Sequence, residues 1–529
     1  MNTIICVTCH THFFRWKGEK VKKITIVNYQ LSIKKRTFAQ VKQQQDKRKQ
    51  MIDDEIRRMV LQALSFPPTP QQAQAARTFA DFMTDRKENT VMILRGSAGT
   101  GKTTLAGAIV RALGALKQKM VLLAPTGRAA KVFALNAGHP AYTIHRRIYR
   151  QKTAADLGAF NLNVNLQRDT LFIVDEASMI ANQGQGNAMF GSGCLLDDLM
   201  QFVYNGNNCR LMLIGDHAQL PPVGEEASPA LQSSTLRAYG TEVYEATLNE
   251  VLRQAQDSGI LWNATRIREF GGVQMGHGLA LPQIRFQGFA DIHLVTGDEL
   301  IEQLATSYSQ AGVDDTIVIT RSNKRANIYN QGIRRTILDR EDELFLGDQL
   351  MIVKNNYYWS EKEKATHQST IDFLANGDVA IVQRVRNIRE LYGFHFADVT
   401  IQLPDYDYQE LTVTMLLDTL TSEAPALTHE QQEHLYEAVL EDYADIPLKA
   451  DRMKKLKEDA YYNALQVKFA YAVTCHKAQG GQWAHVYIYQ GYMTDDMLTP
   501  EYIHWLYTAF TRATGQLYLV NWPKAQTES

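Results

Sequence analysis

The sequence predicts an α/β chain: two domains built on parallel sheets, with a small β module inserted in the second. Three observations carry this. Apolar runs at Val91–Leu94, Leu171–Val174 and Arg210–Ile214 each end in a Gly-bearing or acidic turn and alternate with helix-forming stretches, the pattern of a parallel sheet. The alternation returns at Thr316–Thr320, Val486–Tyr489 and Leu517–Val520. Between these, Val379–Val385, Val399–Leu403 and Leu411–Leu417 follow one another without helices, with Asn376-Gly377 as a hairpin signal between Phe373-Leu374 and the first run.

At 529 residues the chain exceeds a single core. No apolar run is long enough to cross a bilayer and no signal peptide is visible, which excludes a membrane reading. Five scattered cysteines indicate a reducing, cytoplasmic setting without a disulfide framework. Net charge is −1 but uneven: residues 1–50 carry twelve Lys/Arg and two Asp/Glu, leaving 44 basic against 55 acidic residues beyond. A nucleic-acid partner would therefore meet a local channel and not a global field.

Residues 1–50 read as a basic extension without periodicity, disordered or not native, and Met51 as an alternative start from which the folded pattern begins. Cys6-Val7-Thr8-Cys9-His10 has the spacing of a haem attachment site or half a zinc site. No second Cys/His pair completes a zinc site, and haem attachment needs export, so the spacing is read as coincidence. A short helix from Met51 leads to Phe66–Pro70, then a helix from Gln71 to about Arg86. An acidic helical stretch, Glu430–Tyr443, follows the β module.

The chemistry is concentrated after Val91–Leu94, where Gly96, Ser97, Ala98, Gly99, Thr100, Gly101, Lys102, Thr103 and Thr104 match G-x-x-x-x-G-K-[ST] in full. Strand, glycine loop and helix together form a phosphate cradle, because the loop aims backbone N–H groups at phosphate oxygens near a helix N-terminus. Lys102 would reach the β- and γ-phosphates and Thr103 would hold Mg²⁺. Asp175, at the end of Phe172-Ile173-Val174, would hold Mg²⁺ through its waters, and Glu176 beside it would polarise the attacking water. Hydrolysis also needs cations against charge building on the γ-phosphate; Arg253 and Arg512 are candidates, although a lone Arg is usually a solvated surface residue.

The segments TPQQ, GSAGTGKTT, APTGRAAK, TIHR, VDEASM, GDHAQLPPVG, LNEVLRQ, VTCHKAQGGQW and YTAFTRA, in this order, resemble the motif series of superfamily 1 helicases of the RecD and Dda type. The resemblance covers the chain from about Thr69 to Asn521. The resemblance implies two RecA-like domains flanking an ATP and Mg²⁺ site, an SH3-like insertion, and a 5′-to-3′ monomeric motor on single-stranded DNA and its junctions with duplex, in repair or recombination. It implies that Gln72 reads adenine, Gln219 senses the γ-phosphate, and Arg253 and Arg512 are arginine fingers. Thr126, Arg128, His145, Thr474 and His476 would contact DNA. The implied boundaries are 51–255 for the first domain, with a small strand-separating pin at about 146–168, around Phe160–Leu166; 256–370 and 466–529 for the second; and 371–465 for the insertion with its acidic helix.

Phe133, Tyr142, Tyr357, Tyr358, Trp359 and Trp483 are candidate stacking residues, each of which alone reads first as a core aromatic. Cys475 reads as a packing residue. Three other readings stand beside the motor: an RNA or RNA–DNA remodelling ATPase, since a backbone-tracking groove accepts either sugar; a P-loop switch or scaffold, which would not need Glu176, Gln219 and two arginines; and a small-molecule kinase, which predicts activity without nucleic acid.

Overall fold

The apolar run ahead of the glycine loop becomes the strand Thr90–Gly96, buried throughout Thr90–Leu94. It lies between Arg210–Gly215 and Glu242–Leu248, parallel to both. Met92 and Leu94 point into one core with Phe79 and Leu105, while Val91 and Ile93 point into another with Phe172 and Leu199. A strand covered on both faces has no polar side, which is why it reads as a continuous apolar run and does not alternate.

The structure, a computed structural model, describes residues 43–44, 46–151, 160–184, 191–250, 257–271, 282–366, 371, 373–494 and 497–528. Its first sheet has six parallel strands in the order Ala141–Thr143, Lys119–Ala124, Thr170–Val174, Arg210–Gly215, Thr90–Gly96, Glu242–Leu248. Three neighbours here end in the glycine loop, in Asp175 and in Asp216, so adjacent C-terminal strand ends bring these groups side by side. A second parallel sheet follows, in the order Ala472–Thr474, Thr316–Thr320, Trp483–Tyr489, Ala513–Val520, Ile292–Val295. These are the two RecA-like domains expected from the sequence.

The β module is a closed barrel of Gln349–Ile352, Val379–Leu391, Phe394–Leu403, Gln409–Leu416 and Leu465–Phe469. Its first and last strands lie outside the 371–465 segment expected for the insertion wholly or in all but one residue. Gln349–Ile352 and Leu465–Phe469 pair antiparallel with each other, and this long-range pairing closes the barrel. Asp348, fully buried at the barrel entrance, accepts hydrogen bonds from Arg334, Arg340, Tyr471 and the Phe345 N–H, which compensates its burial.

The hairpin signal also falls elsewhere. Asn376-Gly377 makes a turn, but Leu374 forms only an isolated bridge with Asn356. The tight hairpin is at Tyr392-Gly393, joining the paired Leu391 and Phe394, with φ of 55° and 72° at its two turn residues. Both positive values define a type I′ turn, here with Tyr where Asn or Asp is usual. Beside it the helix His429–Glu441 buries Leu435 and Val439 against Phe394 and Phe396. Helical structure at the other end covers residues 46–62 and so begins before Met51, with Ile56 and Val60 buried in the first-domain core. The Cys6–His10 spacing lies outside the described residues.

Among the described residues no helix is long and apolar enough to cross a membrane, and no His/Cys/Asp/Glu group has the arrangement of a metal cluster.

Candidate nucleotide site and nucleic-acid track

The glycine loop curls because two of its glycines allow what other residues would not. Gly101 caps the helix Lys102–Ala115 with φ 81°. A Cβ on Gly96 would stand 2.7 Å from Lys102 Cγ. Lys102 Nζ donates to Ser97 O at 2.8 Å and lies 3.9 Å from Asp216 Oδ2. Gln72 braces the loop from outside: its Nε2 donates to Thr100 O at 3.3 Å, and its Oε1 accepts the Thr69 N–H, completing a capping box on the helix Pro70–Thr84.

Asp175 stands half-buried at the end of Thr170–Val174, and its Oδ1 accepts the N–H of Glu176 at 2.9 Å. Burial, and then the Glu176 charge beside it, pushes the Asp175 carboxyl upward, with Lys102 opposing. Two crowded acids facing a lysine are a setting that a divalent cation would relieve, so Asp175 with Thr103 fits Mg²⁺. Glu176 holds φ 52°, left-handed backbone that a non-glycine residue adopts at a cost of about 1 kcal/mol or more. Gln219 is buried, and its Oε1 accepts no hydrogen bond among the described residues. The loop that carries it starts at Asp216, fully buried, whose Oδ1 accepts the Ala218 N–H and whose Oδ2 accepts the Tyr507 hydroxyl at 2.6 Å.

Of the two candidate arginines, only Arg512 lies among the described residues; Arg253 lies outside them. Arg512 is buried, and its guanidinium donates to Thr508 O at 3.1 Å, Gly481 O at 3.1 Å and Thr511 Oγ1 at 3.2 Å. It sits two residues past the helix Pro500–Phe510, where carbonyls without helical partners take up a cation. The second-domain arginine that does reach the loop is Arg268, on Gly259–Gly271, which donates to Ser97 Oγ. Asp216, Tyr507 and Arg268 had no assigned role in the sequence reading. Asp216 and Tyr507 stand inside recognised motifs, whereas nothing local marks Arg268.

The residues assigned to the nucleic-acid track meet more closely. Thr126, Arg128, Thr143, His145, Asn376, His476, Lys477, Gln479 and Trp483 line one cavity of about 390 Å³ between the two domains and the barrel. Thr126 caps the helix Gly127–Ala137, its hydroxyl accepting the Ala129 N–H, and Thr474 stands at the N-terminal end of the short helix Cys475–Ala478, two residues before His476. Burial lowers both histidines, His145 to about 4, so near pH 7 they are neutral rings that stack or hydrogen-bond and add no charge. Arg128 spans the domains, stacked 4.1 Å over Trp483 and donating to Gln482 O. Of the other aromatics, Phe133 and Trp359 are core residues, Tyr357 stacks on Phe373, Tyr358 meets Trp359 edge-on, and Tyr142 is exposed under Arg146. Cys475 is fully buried with its thiol pushed up to about 12 by burial, as expected of a packing residue.

Residues 68–272 match the family model of an AAA domain, and 469–520 that of a UvrD-like helicase C-terminal domain. The chain is similar to superfamily 1 helicases of the Dda and RecD type. It is 26% identical over 283 residues to the ATP-dependent DNA helicase dda of Enterobacteria phage T4, covering 49% of this chain and 55% of that one. It is 30% identical over 198 residues to the ATP-dependent RecD2 DNA helicase of Deinococcus radiodurans, covering 35% and 25%. An uncharacterized protein, R530, of Acanthamoeba polyphaga mimivirus is 22% identical over 525 residues, covering 84% and 98%. The chain thus spans about half the length of the phage relative. Residues of both matched segments, Thr126, Arg128 and His145 from the first and His476, Lys477 and Gln479 from the second, line the same cleft.

The wall of this cleft carries a titratable contact. Asp378, at the start of the barrel strand, lies so close to Gly127 that a Cβ there would stand 2.6 Å from its Oδ1. Its Oδ2 accepts from the Tyr406 hydroxyl at 2.7 Å and the Ala375 N–H at 2.8 Å, yet burial outweighs both and pushes the carboxyl from 3.8 up to about 7. The folded chain therefore binds a proton that the unfolded chain releases between these values, and Asp378 favours folding less as pH rises through them. Asp378→Asn is expected to remove up to about 1.4 kcal/mol per pH unit of that dependence, read by denaturant unfolding across the window.

Proposed function

We propose that the chain is an ATP-driven translocase and helicase on single-stranded DNA, moving 5′ to 3′, as a monomer, in DNA repair or recombination. One observation carries the coupling. Gln479, in the track segment after His476, donates its Nε2 to Leu220 O at 2.7 Å, the residue next to Gln219. A change at the γ-phosphate has one hydrogen bond to cross to reach the track.

ATP would lie on Gly96–Thr104 with Gln72 beside the adenine, and Mg²⁺ would be held by Thr103 and, through water, Asp175. The ion would supply charge neutralisation between the phosphates. Lys102 would hold the terminal phosphates, Glu176 would accept a proton from the attacking water, and Gln219 would touch the γ-phosphate. Arg253 and Arg512 are the proposed fingers, and Arg512 reaches a phosphate only by releasing its three hydrogen bonds. Closure around ATP and opening after hydrolysis then become stepping, with Thr126, Arg128 and His145 gripping from one side and Thr474 and His476 from the other. The antiparallel pair Tyr149–Gln151 and Phe160–Leu162 is the proposed pin. The names of the phage and Deinococcus relatives, both ATP-dependent DNA helicases, support this reading.

ATPase activity is expected to rise at least about tenfold with single-stranded DNA, and 5′-tailed duplexes to be unwound where 3′-tailed ones are not. Absence of stimulation would sink the motor in favour of a switch or kinase. Stronger stimulation and unwinding with RNA tails would favour the RNA-remodelling reading.

A further inference from the structure

Tyr507 belongs to the second domain, on the helix Pro500–Phe510, yet its hydroxyl sits in the glycine loop of the first. It accepts the Ala98 N–H at 2.8 Å and donates to Asp216 Oδ2 at 2.6 Å. Burial and the Asp216 carboxylate keep the phenol protonated by raising it well above its ordinary value, so it can act on Asp216 only as a donor. The same helix holds the sensor loop at two further points: Leu220 N–H donates to Thr508 Oγ1 at 2.8 Å, and His504 Nδ1 lies 2.8 Å from Ala218 O. Its Trp505 carbonyl lies 3.5 Å from Cys475 Sγ in the track segment.

We infer that Tyr507 is a nucleotide-displaced gate: its hydroxyl competes with ATP for the Ala98 amide, and its displacement moves the helix that joins the sensor loop to the track. The chemistry favours displacement in one direction. A phosphate oxygen is a charged acceptor and takes a loop N–H more strongly than a neutral phenol does. Once the phenol leaves, Asp216 Oδ2 loses its hydroxyl donor while Lys102 Nζ stands 3.9 Å away. Arg268, donating to Ser97 Oγ, makes the adjoining contact from the same domain, so the second domain reaches two successive loop residues. The gate makes ATP binding and the position of the Pro500–Phe510 helix two readings of one contact. Tyr507 is a positioning residue in this scheme, acting through Ala98 and Asp216.

If the loop binds ATP as proposed above, Tyr507→Phe keeps the ring and removes the hydroxyl, and with it both the competitor for the Ala98 amide and the donor to Asp216 Oδ2. Without DNA, its KM for ATP is expected to fall about fivefold, the worth of one hydrogen bond, and its basal turnover to rise. Stimulation by DNA should shrink correspondingly, because part of what DNA releases is already released. Binding of a slowly hydrolysed ATP analogue, measured with the melting temperature, separates this from damage: tighter binding supports the gate even if the melting point drops. An unchanged or raised KM with undiminished DNA stimulation overturns it and leaves the phenol a structural strut. Lys102→Ala assayed alongside distinguishes the two levels. If that variant hydrolyses ATP normally, the ATP-site reading itself fails; if it is inactive and Tyr507→Phe shows no KM change, only the gate fails.

Discussion

Lys102→Ala is expected to lower ATP hydrolysis by about a hundredfold to a thousandfold, the cost of removing one preorganised group from a developing anion. The geometry explains why so much rests on one side chain. Lys102 is the first residue of its helix, behind the left-handed Gly101, and its amine is oriented by Ser97 O with Asp216 Oδ2 3.9 Å away. The amine is thus aimed before any phosphate arrives and pays little reorganisation. Alanine preserves the helix, so the expected variant melts near the wild-type temperature and keeps DNA affinity without nucleotide. Steady-state hydrolysis with saturating DNA is the measurement, and near-wild-type turnover would refute the assignment of the loop.

Glu176→Gln should show the complementary phenotype. Proton transfer to a positioned base is worth about a hundredfold to ten-thousandfold, and glutamine keeps the shape while losing the base. Turnover should fall by that range while ATP binding persists, read by single-turnover hydrolysis beside equilibrium binding. The left-handed backbone at Glu176 bears on the choice of substitution. A residue already in a costly conformation tolerates an isostere better than a β-branched or truncated replacement. Lost ATP binding in Glu176→Gln would mean that the carboxylate orders the loop and does not activate water.

Lys102 and Glu176 stand where their local sequence places them, at a helix start and just past a strand end, whereas the contacts of an arginine are set from elsewhere in the chain. Arg512 stands in a motif that names it a finger, yet it is spent on three acceptors within its own domain. Arg268 stands in an unremarkable helix, yet it touches Ser97. A guanidinium at the end of a flexible stem goes wherever acceptors are unsatisfied, and those acceptors are set by chain segments far away in sequence. The barrel shows the same limit. Its individual strands were visible, but its closure depends on Gln349–Ile352 meeting Leu465–Phe469, more than a hundred residues apart. The hairpin at Tyr392-Gly393 was missed because tyrosine is an uncommon choice for positive φ, whereas Asn376-Gly377 has the commoner pair without the pairing.

What the sequence determined by itself was whatever local physics encodes within a dozen residues. The continuous apolar strand, the glycines that let Gly96–Thr104 curl, the lysine at the helix start and the acids just past Thr170–Val174 are all of this kind, and so is the alternation that made two parallel sheets. What only the tertiary structure decided was which groups from the second domain stand over that loop. Tyr507 lies more than four hundred residues from Ala98 in the chain and one hydrogen bond away in space. Such a contact leaves no periodicity or spacing to read, because it arises from how two separately encoded cores dock.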